Sequence, residues 1–231
     1  MARYLIGNWK CHKSSDSSKE WLDRFDKAYR PQDGLEVIVA PPAVYLESLS
    51  FHVKRLQLRH FSLGAQDISP FPRGSYTGAI AADMVKPFAS YAIIGHSERR
   101  RYFHETVTDL VNKAAEAADV GLTPIICIEN GDTLSSLFAL KDIDCPGMIL
   151  AYTPVDSLNF RIPESVARVG VVIKRIANYF PRRPIVYGGA LNVDNFREYL
   201  EIDGLSGLFT ATASLEVQSF STLCRAMGAS L

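Results

Sequence analysis

Eight short apolar runs recur along the chain, and longer segments, several of them amphipathic, separate them. This rhythm restricts the fold more than any other feature of the sequence. The runs are RYLIGN (3–8), LEVIVAP (35–41), FSLGAQ (61–66), YAIIGH (91–96), LTPIICI (122–128), GMILAY (147–152), PIVYGG (184–189) and GLFTAT (207–212). Most are apolar nearly throughout, as strands covered on both faces must be. The intervening stretches at 20–30, 105–120 and 164–180 repeat their apolar residues with helical period. In the last of them Val166, Val169, Val172, Ile173, Ile176 and Phe180 fall near one face, as in a helix packed on a sheet. Alternating strands and helices, with no Pro/Gly/Ser-rich linker between halves, favour one α/β domain over 1–231, a single closed (β/α)8 barrel. An open doubly wound sheet is the alternative that periodicity leaves standing.

Charge narrows the choice of partners. The 231 residues contain 25 Lys+Arg and 25 Asp+Glu, with no basic face or block of like charge. Nucleic acid and anionic membrane are therefore not expected as partners. No stretch reaches the ~18 apolar residues of a membrane span, and the N-terminus lacks a signal-peptide pattern. Cys11, Cys127, Cys145 and Cys224 are scattered without metal-ligand spacing, which fits reduced thiols in a cytoplasmic protein. His12, His52, His60 and His104 likewise have no partners at ligand spacing, so neither a metal nor a cofactor is expected.

A barrel carries its chemistry on the loops that follow the C-terminal ends of its strands. After the first run stands Lys10, and after the fourth stands His96, followed by the start of a helix. A helix N-terminus lowers the pKa of such a histidine and keeps it neutral. A cation and a neutral imidazole in one pocket can polarise a carbonyl and stabilise an enediolate. After the sixth run the apolar residues stop at Thr153-Pro154, where proline ends the ladder. That strand end is a natural place for a catalytic group, yet it carries a hydroxyl.

The motifs GNWK (7–10), APP (40–42), GAQD (64–67), SYTG (75–78), IIGHSERR (93–100), PIICI (124–128), AYTPV (151–155) and YGGALN (187–192) occur in order over nearly the whole chain. Together they resemble the triosephosphate isomerase family. The resemblance implies a TIM barrel and the interconversion of dihydroxyacetone phosphate and glyceraldehyde 3-phosphate, a step of glycolysis and gluconeogenesis. It implies that Lys10 is the electrophile, that His96 exchanges protons with the enediolate oxygens, and that Glu98 pairs with the lysine. Asn8, Gly188 and Gly189 match substrate-contacting positions. Gln66 and Thr77 lie in a segment, 64–78, that resembles the family's dimer loop, so a homodimer is expected.

Several positions depart from the family pattern. Thr153 stands where the family has its glutamate base, and a hydroxyl is not an appreciable base at neutral pH. Asp156 is the nearest substitute. Residues 156–162 are shorter than the family's lid and contain no glycine to bring a backbone N–H against an anion. Ala190 replaces a phosphate-binding serine, and Ala211-Thr212 replace a glycine pair. Ala79 and Glu129-Asn130 are milder departures, and Cys127 reads as core packing. Three readings follow. The first is a homologue that is weak or inactive as an isomerase and binds a small carbonyl compound or anionic metabolite. The second is an enzyme of altered specificity that uses Lys10 and His96, with Asp156 or a water as base. The third is a working isomerase with a substitute base.

Overall fold

The structure, a computed structural model, describes residues 3–229; the side chains of 131–133, 135, 136 and 158–160 lie outside the description. The strands are β1 (Arg3–Asn8), β2 (Leu35–Ala40), β3 (Phe61–Ala65), β4 (Tyr91–Ile94), β5 (Thr123–Ile128), β6 (Ile149–Tyr152), β7 (Ile185–Tyr187) and β8 (Gly207–Thr210). They form a closed barrel in chain order, every neighbouring pair parallel. Strand β1 pairs with β8 as well as with β2, which excludes the open sheet.

Around the barrel lie α1 (Ser15–Ala28), α2 (Leu46–Leu56), α3 (Ala82–Val85), α4 (Ser97–Phe103), α5 (Val107–Asp119), α6 (Val155–Phe160), α7 (Val166–Tyr179), α8 (Thr212–Leu215) and α9 (Val217–Ala229). Tighter 3-10 segments at Ala43–Tyr45, Gly131–Asp142 and Arg197–Glu201 complete the pattern. Helix starts are marked locally. Ser14 caps α1 and Thr106 caps α5, each in a reciprocal capping box with the residue three positions on. Among the described residues no helix is long and apolar enough to cross a membrane.

The near-continuous apolar runs have a two-sided purpose. Alternate side chains of a strand point to opposite faces. Ile6, Ile38, Ile93, Ile125, Ile149, Val186 and Phe209 fill the barrel interior. Their neighbours Leu5, Val37, Val39, Ile94, Ile126 and Leu150 pack outward against the helices. The expected face of α7 is the buried one, with Val169, Val172, Ile173 and Ile176 inside. Barrel closure needs a glycine at one point. Gly207, opposite Tyr4 with φ +157°, has no room for a side chain, because a Cβ would collide with the Tyr4 backbone.

Some runs are shorter as strands than they read in sequence. Strand β4 stops at Ile94 because Gly95 takes φ +71°, and an added Cβ there would strike Leu110. That turn delivers His96 to the start of α4.

Candidate active site

Asn8 ends β1, and the chain then turns so sharply that Lys10 adopts φ +50°. A left-handed backbone costs a non-glycine residue about 1–2 kcal/mol, so something must hold it. Asn8 Oδ1 accepts from the Lys10 N–H at 2.9 Å. Gln66 Nε2 donates to the Lys10 carbonyl and to the Ala40 carbonyl, both at 2.9 Å. Gln66 therefore braces the lysine's backbone from within its own chain. The Lys10 ammonium meets Glu98 Oε1 at 2.7 Å.

His96 is the N-cap of α4, and its Nδ1 accepts from the Glu98 N–H at 3.2 Å. With Nδ1 used as acceptor, the proton of the neutral ring sits on Nε2 and is available as a donor. The side chain is 4% exposed. Burial lowers its pKa from 6.5 to about 4; Glu98 opposes the shift, and Lys10 and Arg100 add to it. The sequence points to a neutral histidine through the helix N-terminus, and in the structure burial is the largest cause of the lowered pKa. Behind this pair Arg100 Nε meets Glu129 Oε1 at 3.0 Å.

Thr153 continues β6 by donating its N–H to the Ile128 carbonyl at 2.8 Å, and it is 1% exposed. Its hydroxyl stands near the buried Cys127 thiol without completing a hydrogen bond. Burial pushes the pKa of that thiol up to about 12, in keeping with core packing. Asp156 lies on α6 and is exposed, whereas the next residue, Ser157, is buried and lines the cleft. The segment read as a shortened lid begins as this helix. The side chains of Leu158, Asn159 and Phe160 are outside the description.

The far end of the segment is tied down at Glu164. The Tyr152 hydroxyl donates to Glu164 Oε2 at 2.6 Å, and Tyr199 donates to its carbonyl at 2.6 Å. The Glu164 N–H donates to the Tyr187 hydroxyl at 3.1 Å. On the β7 side, Gly188 and Gly189 are packed so tightly that side chains would run into Phe209 and the Tyr187 hydroxyl.

These elements surround a cleft of about 500 Å³ at the C-terminal ends of the strands. Asn8, Lys10, His96, Glu98, Thr153 and Gly188 all line it. Ala190, Ala211 and Thr212 form the wall where the family resemblance leads one to look for a phosphate cradle. Arg161, which carries no ion pair among the described residues, also lines it. Sequence reasoning assigned Arg161 no role. Its direction depends on a left-handed residue closing α6, φ +56°, which no local motif announces. Gly189, Gln66 and Thr77 do not line this cleft; Thr77 is exposed on the long loop after β3. A second recess of about 540 Å³ lies between that loop and α4, and Lys10, Cys11, Gln66 and Phe103 border it. Among the described residues no three His, Cys, Asp or Glu side chains are grouped to hold a metal ion.

A closed parallel (β/α)8 barrel with a polar cleft at its strand ends is the architecture of a broad class of enzymes. Within it the chain belongs to the triosephosphate isomerase family, whose model matches residues 3–227. It is 33% identical to the triosephosphate isomerase of Xanthomonas euvesicatoria over 251 aligned positions, covering 98% of each chain. It is 32% identical to that of Thermus thermophilus, covering 99% of this chain and 100% of the relative. The protein of the same name from Mesomycoplasma hyorhinis is also 32% identical, covering 94% and 95%.

Proposed function

We propose that this chain keeps the ligand-polarising half of a triosephosphate isomerase site but is weak or inactive in the family's reaction. One observation carries this reading: among the described residues, the only carboxylate lining the cleft is Glu98, and Lys10 holds it at 2.7 Å. Proton abstraction from carbon needs a base within hydrogen-bond reach of that carbon. Losing such a group costs roughly 10²–10⁴-fold, or about 3–5 kcal/mol of barrier. Among the described residues no group accepts a hydrogen bond from the Thr153 hydroxyl, and exposed Asp156 stands outside the lining. Lys10 and His96 would still bind and polarise a small carbonyl compound or anionic metabolite. Lys10 supplies fixed positive charge, and His96 donates from Nε2.

The same reading includes a homodimer built through the 64–78 loop, in a cytoplasmic protein. Phe71 and Tyr76 stack at 4.6 Å on that loop and are 43% and 45% exposed. The loop faces Phe103 across the second recess. Exposed apolar side chains gathered around a recess favour protein contact.

The test is a coupled assay of the purified protein with dihydroxyacetone phosphate and with glyceraldehyde 3-phosphate, using Lys10→Ala as background. Turnover equal to that of the Lys10→Ala variant is expected. Turnover in the usual enzymatic range that Lys10→Ala abolishes would sink the proposal and reveal a substitute base.

A further inference from the structure

The cleft's donors outnumber its acceptors, and its fixed charge is small. Lys10 and Arg161 contribute two positive charges and Glu98 one negative charge, while burial keeps His96 neutral. Lys10, Arg161 and Glu98 therefore sum to about +1, and His12, which also lines the cleft, adds to this whenever it is protonated. A phosphate monoester brings roughly −1.5 to −2 and three strong acceptor oxygens. The wall at β7 and β8 meets such a group with Ala190, Leu191, Ala211 and Leu215, and its polar side chains there, Asn192, Thr210 and Thr212, are uncharged. A carboxylate brings −1 and a planar pair of oxygens that matches the guanidinium fork.

Two further atoms ask for a ligand. Thr153 Oγ1 and Ser157 Oγ are buried hydroxyls without a hydrogen bond, on residues that are 1% and 2% exposed, and both residues line the cleft. The Ser157 hydroxyl lies near that of Tyr187 without bonding it, just as Thr153 lies near Cys127. Buried hydroxyls left unsatisfied are uncommon and destabilising, and each calls for a partner, whether an ordered water or a ligand. A bare carboxylate held fork to fork by Arg161 has only its two other lone pairs left for them. A carboxylate with an adjacent hydroxyl or carbonyl oxygen brings them a further partner.

We infer that the cleft is a binding site for a small 2-hydroxy or 2-oxo carboxylate, with Arg161 pairing with the carboxylate and Thr153 and Ser157 serving its neighbouring oxygen. This rests on the reading that the chain lacks the family's base, because a glutamate at position 153 would repel such a ligand. The substitution then has a consequence beyond lost proton abstraction: it changes which anion the barrel accepts. Lys10 and the His96 Nε2–H, which line the same cleft, complete the donor set.

The probes are glycolate, acetate and inorganic phosphate, titrated calorimetrically into the full-length protein at constant ionic strength and neutral pH. Glycolate is expected to bind more tightly than acetate, and acetate more tightly than phosphate. Arg161→Leu should weaken glycolate about tenfold or more, the loss of one charge-assisted pair. Thr153→Val, nearly the same shape without the hydroxyl, should bring glycolate down to the level of acetate and leave acetate unchanged. Arg161 is exposed, so its variant should keep the fold, and circular dichroism checks both variants. As a second readout, glycolate should shift the His96 Nε2–H resonance in the wild-type protein. Phosphate binding as tightly as glycolate, no detectable binding of glycolate, or indifference of glycolate binding to Arg161→Leu or Thr153→Val would each overturn the inference. The isomerase assay separates the two proposals. Triose phosphate turnover would remove the premise, whereas absent turnover with failed glycolate binding would remove only this inference.

Discussion

Lys10 and His96 are reached by chain turns that leave the strand direction at once, and each turn is secured by neighbours distant in sequence. For Lys10 the neighbour is Gln66, 56 residues on, whose amide spans the Lys10 and Ala40 carbonyls. For His96 it is the surrounding barrel, which removes water from the ring. Because its folded pKa, about 4, lies below the ordinary 6.5, the unfolded chain binds this proton more readily than the folded one. The contribution to stability is complete above pH 6.5 and is lost as pH falls toward 4, at up to roughly 1.4 kcal/mol per pH unit. His96→Gln should flatten that part of the stability–pH curve relative to wild type. Urea unfolding across this interval measures the difference, and parallel curves would contradict the assignment. GNWK and GHSERR mark both residues in the sequence. The 2.7 Å pairing of Lys10 with Glu98 becomes visible only when β1 and β4 meet at one end of the barrel.

Among the elements, the segment from β6 to α7 joins a short helix to a clamped end. A glycine-free stretch reads as a poor lid, and its first residues form α6. Its end is held by three tyrosine hydroxyls on the single residue Glu164, with Tyr187 and Tyr199 stacked at 4.9 Å. Bonds of this kind from β6, from β7 and from the following 3-10 segment hold the end of the segment against the barrel. Tyr199→Phe removes the bond to the Glu164 carbonyl and should cost about 1 kcal/mol of stability. Amide exchange just after Glu164 should quicken more than elsewhere. Uniform change across the chain would mean that the clamp is not local. The three tyrosines lie at 152, 187 and 199, so no motif of local spacing reveals that they converge.

For the whole molecule the open question is assembly. The loop after β3 projects Phe71, Tyr76 and Ile80, each at least 40% exposed, while Phe103 on α4 is 63% exposed. Sedimentation should give twice the 25.6 kDa chain mass. Tyr76→Glu, which buries a charge in the expected contact, should shift the protein to monomer while leaving the barrel folded. A wild-type protein that sediments as a monomer would remove the dimer from the proposal.

The pairing of β1 with β8 that closes the barrel was decided by the tertiary structure, whereas the strand order, the buried face of α7 and the preference for a barrel follow from the sequence. Their causes are local: side-chain periods of two and 3.6, capping residues, and the continuous hydrophobicity that two-sided burial demands. Lys10, His96 and Thr153 drew notice because each follows a marked strand end, while Asn8, Glu98 and the expectation of a carboxylate at 153 came through the family resemblance. Only the tertiary structure decided that Gln66 braces Lys10, that Ser157 and Arg161 line the cleft while exposed Asp156 does not, and that burial is the largest cause of the lowered His96 pKa. These depend on which groups meet after closure and on how much water closure removes. No residue carries either quantity by itself.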